Sequence, residues 1–357
     1  MNSKRWTRNF ILIVLAFVVL AGGMVVILDP FFHYHSPLPG FHYELDSQRY
    51  QNDGITRHFP YNAMITGTSN SENFHTSGLD ALYGTQSVKV PFPGASYHEV
   101  AQNLRTAFRT HPDLKLVVCS MDDSYLIEEP DAMHDELGEF PTYLTDRNPF
   151  NDIRYILNRD VLFNYCGVML VQRLKGTPGG VTDFDSYSED SDPAQFGRDA
   201  ALFGLSAEDV SAPDEVQPLT DAERELVEKN VRRNIADIAK AHPDTEFCYF
   251  IPPVSIVRWG TNYHAGILER QIDAEEAAVR ELLELPNLRI YNFYSNTELV
   301  TDLGRYKDPV HYNAETAGQL LAWMKEGEYQ VTQDNVDEVF GLEREFYNHY
   351  NYTELFE

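Results

Sequence analysis

The sequence predicts an α/β protein: a central parallel sheet of about five strands, covered by helices, behind an N-terminal apolar helix. Three observations predict it. Short apolar runs recur along the chain and most end at glycine, serine or proline; stretches of helical periodicity separate them; and Phe10 to Leu28 contains no charged residue. Strands alternating with helices are the pattern of a parallel sheet with both faces covered.

The elements follow in order. FILIVLAFVVLAGGMVVIL, from Phe10 to Leu28, is long enough at about 1.5 Å per residue to cross a hydrocarbon core of roughly 30 Å. Lys4, Arg5 and Arg8 precede it and Asp29 follows, so the positive-inside rule predicts residues 1–9 in the cytoplasm, an anchor over 10–28 and the rest outside. A cleaved signal peptide is the alternative, because Val19-Leu20-Ala21 before Gly22 resembles a processing site. The apolar run continues through Leu28, which favours the anchor. Residues 29–60 read as a connecting segment.

Asn62 to Thr66 reads as the first buried strand, running into a turn at Gly67. Ser87 to Pro91 reads as the second, followed by the turn Pro93-Gly94-Ala95-Ser96 and a helix over Tyr97 to Arg109. Leu114 to Ser120, Phe247 to Ile251 and Leu288 to Asn292 supply the third, fourth and fifth. Helical patterns cover Asp221 to Ala241, His264 to Leu285 and Ala314 to Met324. This order predicts a flavodoxin-like three-layer sandwich over residues 61–327, with a helical tail over 328–357. In such sheets ligands meet the carboxyl ends of the strands, where Ser69, Gly94, Ser120 and Pro252 fall.

An insertion at about 128–219 interrupts the pattern between the third and fourth strands. Asn151 to Leu174 predicts helices beside the site, with their apolar stripe in the core. Gly176 to Pro218, rich in Gly, Pro, Ser and Asp, predicts an irregular excursion.

The formal charge of -27 argues against nucleic acid and against adhesion to anionic lipid or teichoic acid. Cys119, Cys166 and Cys248 have no metal-ligand spacing, and an odd count cannot close into internal disulfides. Buried thiols are expected, with one disulfide left open.

Two motifs carry the chemistry. Asp308-Pro309-Val310-His311 places an acid three residues before a histidine, and Gly67-Thr68-Ser69 exposes a hydroxyl at a strand end. A serine needs a base within hydrogen-bond reach, which His311 would supply with Asp308 holding the ring. Ser71 and Ser77 are weaker candidates. The Ser69 and Gly94 amides would face the developing oxyanion. Tyr125, Arg258, Trp259 and Tyr263 are candidate substrate contacts, the aromatics for a sugar ring and the arginine for an anionic group. No metal cluster is evident, which leaves phosphate-ester hydrolysis little support.

These blocks resemble the SGNH (GDSL-like) hydrolase superfamily, whose members carry a serine after strand one, a glycine after strand two, an asparagine after strand three and a D-x-x-H near the end. Gly67-Thr68-Ser69 resembles the first block, Pro93-Gly94-Ala95-Ser96 the second and Asp308-Pro309-Val310-His311 the fourth. In the third, Ser120-Met121-Asp122-Asp123 puts Asp122 where the family has asparagine. Asp122 then stays protonated, turns away to bind a substrate hydroxyl, or marks an altered activity. The layout is similar to the membrane-anchored D-alanylation protein of the Dlt system and, more distantly, to alginate O-acetylation proteins.

The resemblance implies a membrane-anchored, extracytoplasmic serine esterase or O-acyltransferase acting on acylated cell-envelope polysaccharide or a related polymer. It implies no cofactor, and it is compatible with a membrane-bound acyl-transfer partner. The alternative is a catalytically weakened protein that binds glycan or scaffolds an envelope assembly.

Overall fold

The computed structural model describes residues 3–134, 140–146 and 148–357. Residues 1 and 2 of the expected cytoplasmic segment, and 135–139 and 147 of the expected insertion, lie outside them. The chain divides into two compact units, Met1–Phe59 with Glu139–Asp183, and Pro60–Gly138 with Phe184–Glu357.

The larger unit is a mixed α/β structure on a six-stranded, mostly parallel sheet. Its strands are β1 (Ala63–Gly67), β2 (Ser87–Pro91), β3 (Leu116–Ser120), β4 (Glu246–Ile251), β5 (Leu288–Asn292) and β6 (Gln330–Val331), in the spatial order β2-β1-β3-β4-β5-β6. The first five are parallel. β6 is a two-residue antiparallel edge strand that the sequence reading placed in the helical tail. It is too short to show an alternating pattern.

Why these runs form strands of a covered sheet follows from their burial. β1, β2 and β3 are buried at every position; β1 and β3 read as near-continuous apolar stretches, whereas β2 alternates and carries a lysine. Ile65 of β1 lies opposite Lys89 on one side and Val118 on the other. Lys89 is buried, and its ammonium donates to the carbonyls of Glu72 and Asp185. From β1 the chain goes first to β2 on one side and then to β3 on the other. The crevice at the carboxyl ends of β1 and β3 is therefore a topological switch point.

The helix Thr76–Tyr83 packs against Ala314–Glu326, while the stretch from Asp221 to Ala241 packs against Tyr97–Thr110 and Leu268–Leu282. The Asp221 to Ala241 stretch is continuous but takes a π-turn over Arg232–Ala236. The expected helix over His264 to Leu285 is instead two helices, Ile256–His264 and Leu268–Leu282. Gly266 separates them at φ +71°, its backbone so close to the Glu215 carbonyl that a Cβ would sit 1.9 Å from it.

The smaller unit begins with the helix Ser3–Leu28, long and apolar enough to cross a membrane. Gln48–His58 is a second helix, and His42–Tyr43 pairs in parallel with Gly180–Val181. Residues 140–183 of the expected insertion belong here. The stripe of Asn151 to Leu174 departs from expectation: Ile153, Phe163 and Leu174 are 54%, 61% and 87% exposed rather than in the core. The three cysteines are buried and free, and burial pushes the Cys166 and Cys248 thiols up to about 12.

Candidate functional site

β1 ends at Gly67, and the site begins there. Gly67 has φ +122°, and a Cβ would lie 2.3 Å from Ser120 Oγ and 2.7 Å from the Ser120 amide nitrogen. Only glycine lets the end of β1 approach β3 this closely. The chain then turns through Thr68 into a single 3-10 turn, Ser69–Ser71, which leaves Ser69 half-buried while Asn70 and Ser71 are buried.

At the other end of the chain, the loop before Ala314–Glu326 is fixed by that helix's N-cap, where the Thr316 amide donates to Asn313 Oδ1 at 2.9 Å. The loop presents His311. Its Nε2 lies 2.7 Å from Ser69 Oγ, and its Nδ1 lies 2.6 Å from Asp308 Oδ2. Asp308 Oδ1 also accepts from the Val310 and His311 amides. Burial opposes ionisation of Asp308, but the His311 ring and those two amides outweigh it and hold the carboxyl below the usual carboxylate range.

Asn73 Nδ2 donates to the Tyr312 carbonyl at 2.6 Å, and the Tyr312 hydroxyl donates to the Asn70 carbonyl at 2.6 Å. These two bonds pin the serine turn to the histidine loop. The segment 185–190 braces both: Asp190 pairs with Lys307, and its amide donates to Asn73 Oδ1 at 2.8 Å. Ser255 reinforces the loop by donating twice to the Pro309 carbonyl.

The chain matches no family model and no curated protein.

Gly94 lies in the turn after β2, at φ +61°. Its carbonyl is 2.7 Å from His134 Nδ1, and His134 Nε2 is 3.0 Å from Glu128. Burial lowers the His134 pKa, but the Gly94 carbonyl and Glu128 outweigh it and leave it raised. Helix Tyr97–Thr110 starts from this turn through a reciprocal cap between Ser96 and Glu99.

Asp122 is buried after β3. Its carboxylate accepts from Thr68 Oγ1 and Ser120 Oγ, each at 2.7 Å, and from Asn70 Nδ2 at 2.5 Å. It is turned into a set of donors from the turn after β1 and the end of β3. Asp123 beside it is also buried, and burial raises its pKa against the opposing effect of Arg258.

The four candidate substrate contacts separate. Tyr125 follows Asp122, lies 4.9 Å from the His134 ring and lines a narrow cavity with Thr68, Ser96 and Asp122. Arg258 is half-exposed, its Nη2 3.5 Å from Ser124 Oγ. Trp259 is wholly buried, stacked 4.1 Å from Tyr347 and edge-on to Tyr294, so its ring is not open to a sugar. The physical reason is that Pro253 to Arg258 is not a long loop: a helix begins at Ile256 and turns position 259 inward. Tyr263 stacks on Tyr352 at 5.3 Å. Ser71 is buried with its hydroxyl on the Thr66 carbonyl, and Ser77 is exposed and bound to Asp185.

Sequence reasoning missed Asn70, Asn73, Tyr312, His134 and the Asp190–Lys307 pair. Asn70 and Tyr312 each adjoin a motif residue, so position alone could have marked them. Asp190 sits in the Gly- and Ser-rich excursion and carried no signal.

Proposed function

We propose that this chain is a membrane-anchored serine esterase or O-acyltransferase of the SGNH type, acting on acyl groups of a cell-envelope polysaccharide or related polymer. The observation that carries the reading is the unbroken line from Ser69 Oγ to His311 Nε2 and from His311 Nδ1 to Asp308. The parallel-strand order β2-β1-β3-β4-β5 supports a flavodoxin-like core, with β6 added at the edge. Lys4, Arg5 and Arg8 before the apolar run from Phe10 support a cytoplasmic N-terminus and an outward-facing site.

Ser69 Oγ bonds to the acyl carbonyl carbon as its proton passes to His311 Nε2. The carbonyl oxygen takes the negative charge, facing the Ser69 and Gly94 amides. The imidazolium, held by Asp308, returns the proton to the departing alcohol oxygen as the ester bond breaks. Water or a sugar hydroxyl then bonds to the acyl carbon as His311 takes its proton, and the acyl bond to Ser69 Oγ breaks as His311 returns that proton to the serine. The acceptor decides between hydrolysis and transfer.

A glycan-binding or scaffold role is the second reading, favoured by Asp122 in the place of an amide donor. The two separate on treating the full chain in detergent with a fluorophosphonate probe and mapping the adduct. The enzyme reading expects labelling at Ser69 that is lost in Ser69→Ala and His311→Ala. Folded protein that stays unlabelled overturns it and leaves the binding role.

A further inference from the structure

The smaller unit carries an apolar surface that the catalytic reading does not use. Residues 150–174 include Phe150, Ile153, Leu157, Phe163, Val171 and Leu174, all exposed. Val161, Cys166 and Met169 are the buried positions of the closing helical stretch, five and then three residues apart. The wider step falls in a π-turn over Val161–Cys166, before the α-helix Gly167–Leu174. Exposed apolar side chains gathered along one short segment mark an interaction surface on a folded protein.

Its place relative to the apolar N-terminal helix is fixed. Asp29, at the exit of that helix, is fully buried and accepts the Tyr155 hydroxyl at 2.8 Å and the amides of His33, Tyr34 and His35. The Tyr155 hydroxyl accepts the Phe31 amide at 3.1 Å. Further up the helix, Gly22 meets Ile156 so closely that a Cβ would lie 2.8 Å from Ile156 Cγ2, with Leu157 Cδ2 at 3.9 Å. Gly22, Val25 and Leu28 are the buried residues of the helix, and its other faces are open.

The rise of an α-helix turns this contact into a depth. Gly22 lies six residues before Leu28, the end of the apolar run, which is about 9 Å along the axis at about 1.5 Å per residue. If Phe10 to Leu28 spans the bilayer, Ile156 and Leu157 sit about that far below its surface. Amphipathic helices lie with their apolar face roughly 5–10 Å into the boundary between headgroups and acyl chains.

We propose that residues 150–174 form a second membrane-contacting element, seated in the leaflet at the C-terminal end of the anchor, with lipid acyl chains as its occupant. Two observations select lipid. The patch is continuous through the Gly22–Ile156 contact with the open apolar surface of the helix. Arg154, Arg159 and Arg173 are exposed along the same segment, with Lys175 directly after it, against only Asp152 and Asp160, although the whole chain carries a formal charge of -27. Cations flanking an apolar face are the pattern that meets lipid phosphates. The overall charge thus argues against adhesion of the protein at large, and this segment is the local exception. The element gives the smaller unit a second attachment, so it does not swivel on a single helix.

The test uses the full chain in phosphatidylcholine vesicles containing phosphatidylglycerol. Phe163→Cys, Val171→Cys, Leu174→Cys and, within the anchor, Leu15→Cys are each labelled with an environment-sensitive fluorophore; the three native cysteines are buried. Using three exposed positions keeps the test open should one variant fold poorly. Lipid contact predicts that probes at 163, 171 and 174 lose emission to nitroxide-bearing lipid and keep it in aqueous iodide, as the probe at 15 does. Loss of emission to iodide at 163, 171 and 174, with lipid quenching kept at 15, overturns the proposal alone. Lipid quenching absent at 15 as well overturns the anchor and the proposal together. Protection from both quenchers means that protein covers the patch, which also overturns it.

Discussion

The Thr68 hydroxyl donates to Asp122 Oδ2 across 2.7 Å, joining the turn that carries Ser69 to the turn after β3. Ser120 Oγ donates to the same oxygen and Asn70 Nδ2 to the other, so three donors converge on one buried carboxylate. An ionised carboxylate only accepts, which suits three donors; an asparagine would point its own N–H groups at one of them. Asp122→Asn restores the residue of the family that the motifs resemble, yet it is expected to lower stability by about 1–3 kcal/mol and to leave ester hydrolysis no faster. Urea unfolding and turnover of a small activated ester check this. A variant that hydrolyses faster than the parent would show that Asp122 restrains catalysis instead.

Asp308→Asn is expected to keep the fold and reduce kcat on the order of 10³–10⁴-fold with little change in KM, because the imidazole loses the partner that fixes its tautomer and charge. The Asp308 carboxyl titrates below the usual range in the folded chain. Its contribution to stability is therefore complete above the unfolded value near pH 4 and is lost as pH falls through the lower folded value. Thermal unfolding followed from pH 5 downward should fall less steeply in Asp308→Asn than in the parent.

Trp259→Ala is expected to cost about 3–5 kcal/mol, since the indole fills core space between Tyr347 and Tyr294. KM for a small ester should not move. A raised KM with unchanged stability would return Trp259 to the binding surface.

β1, β3 and β4 were legible as largely apolar runs, β2 and β5 because their apolar residues alternate with Lys89 and Arg289, and Ser69 with Asp308 and His311 because strand ends and a spaced acid–histidine pair have local signatures. β6 was not legible at two residues. Trp259 was misplaced because Pro252-Pro253 reads as the start of a loop, whereas only Val254 and Ser255 separate it from a helix. The stripe of Asn151 to Leu174 was misread for a different reason: an apolar stripe shows that a face could be covered, not that this chain covers it. The Asp122 donors come from the turn after β1 and the end of β3, a convergence that exists only once the sheet is assembled.

A pair of acids away from the site sets the last expectation. Glu343 and Glu275, on helices Val336–His349 and Leu268–Leu282, are each 1% exposed. Burial pushes the Glu343 carboxyl up to about 8 and raises Glu275 as well, with the nearby Asp123 and Glu343 carboxyls adding to the Glu275 shift. In the unfolded chain such groups titrate near pH 4.3. Between that value and about 8 the unfolded chain releases a proton that folded Glu343 keeps, so stability is fully present at the acid end and declines as pH rises. Each such proton sets a slope of up to about 1.4 kcal/mol per pH unit. Glu343→Gln preserves the shape of the neutral acid and cannot ionise, so it should flatten the fall in thermal stability between pH 5.5 and 8 while changing little at pH 5. A fall as steep in Glu343→Gln as in the parent would mean that Glu343 does not keep its proton through neutral pH in the folded chain.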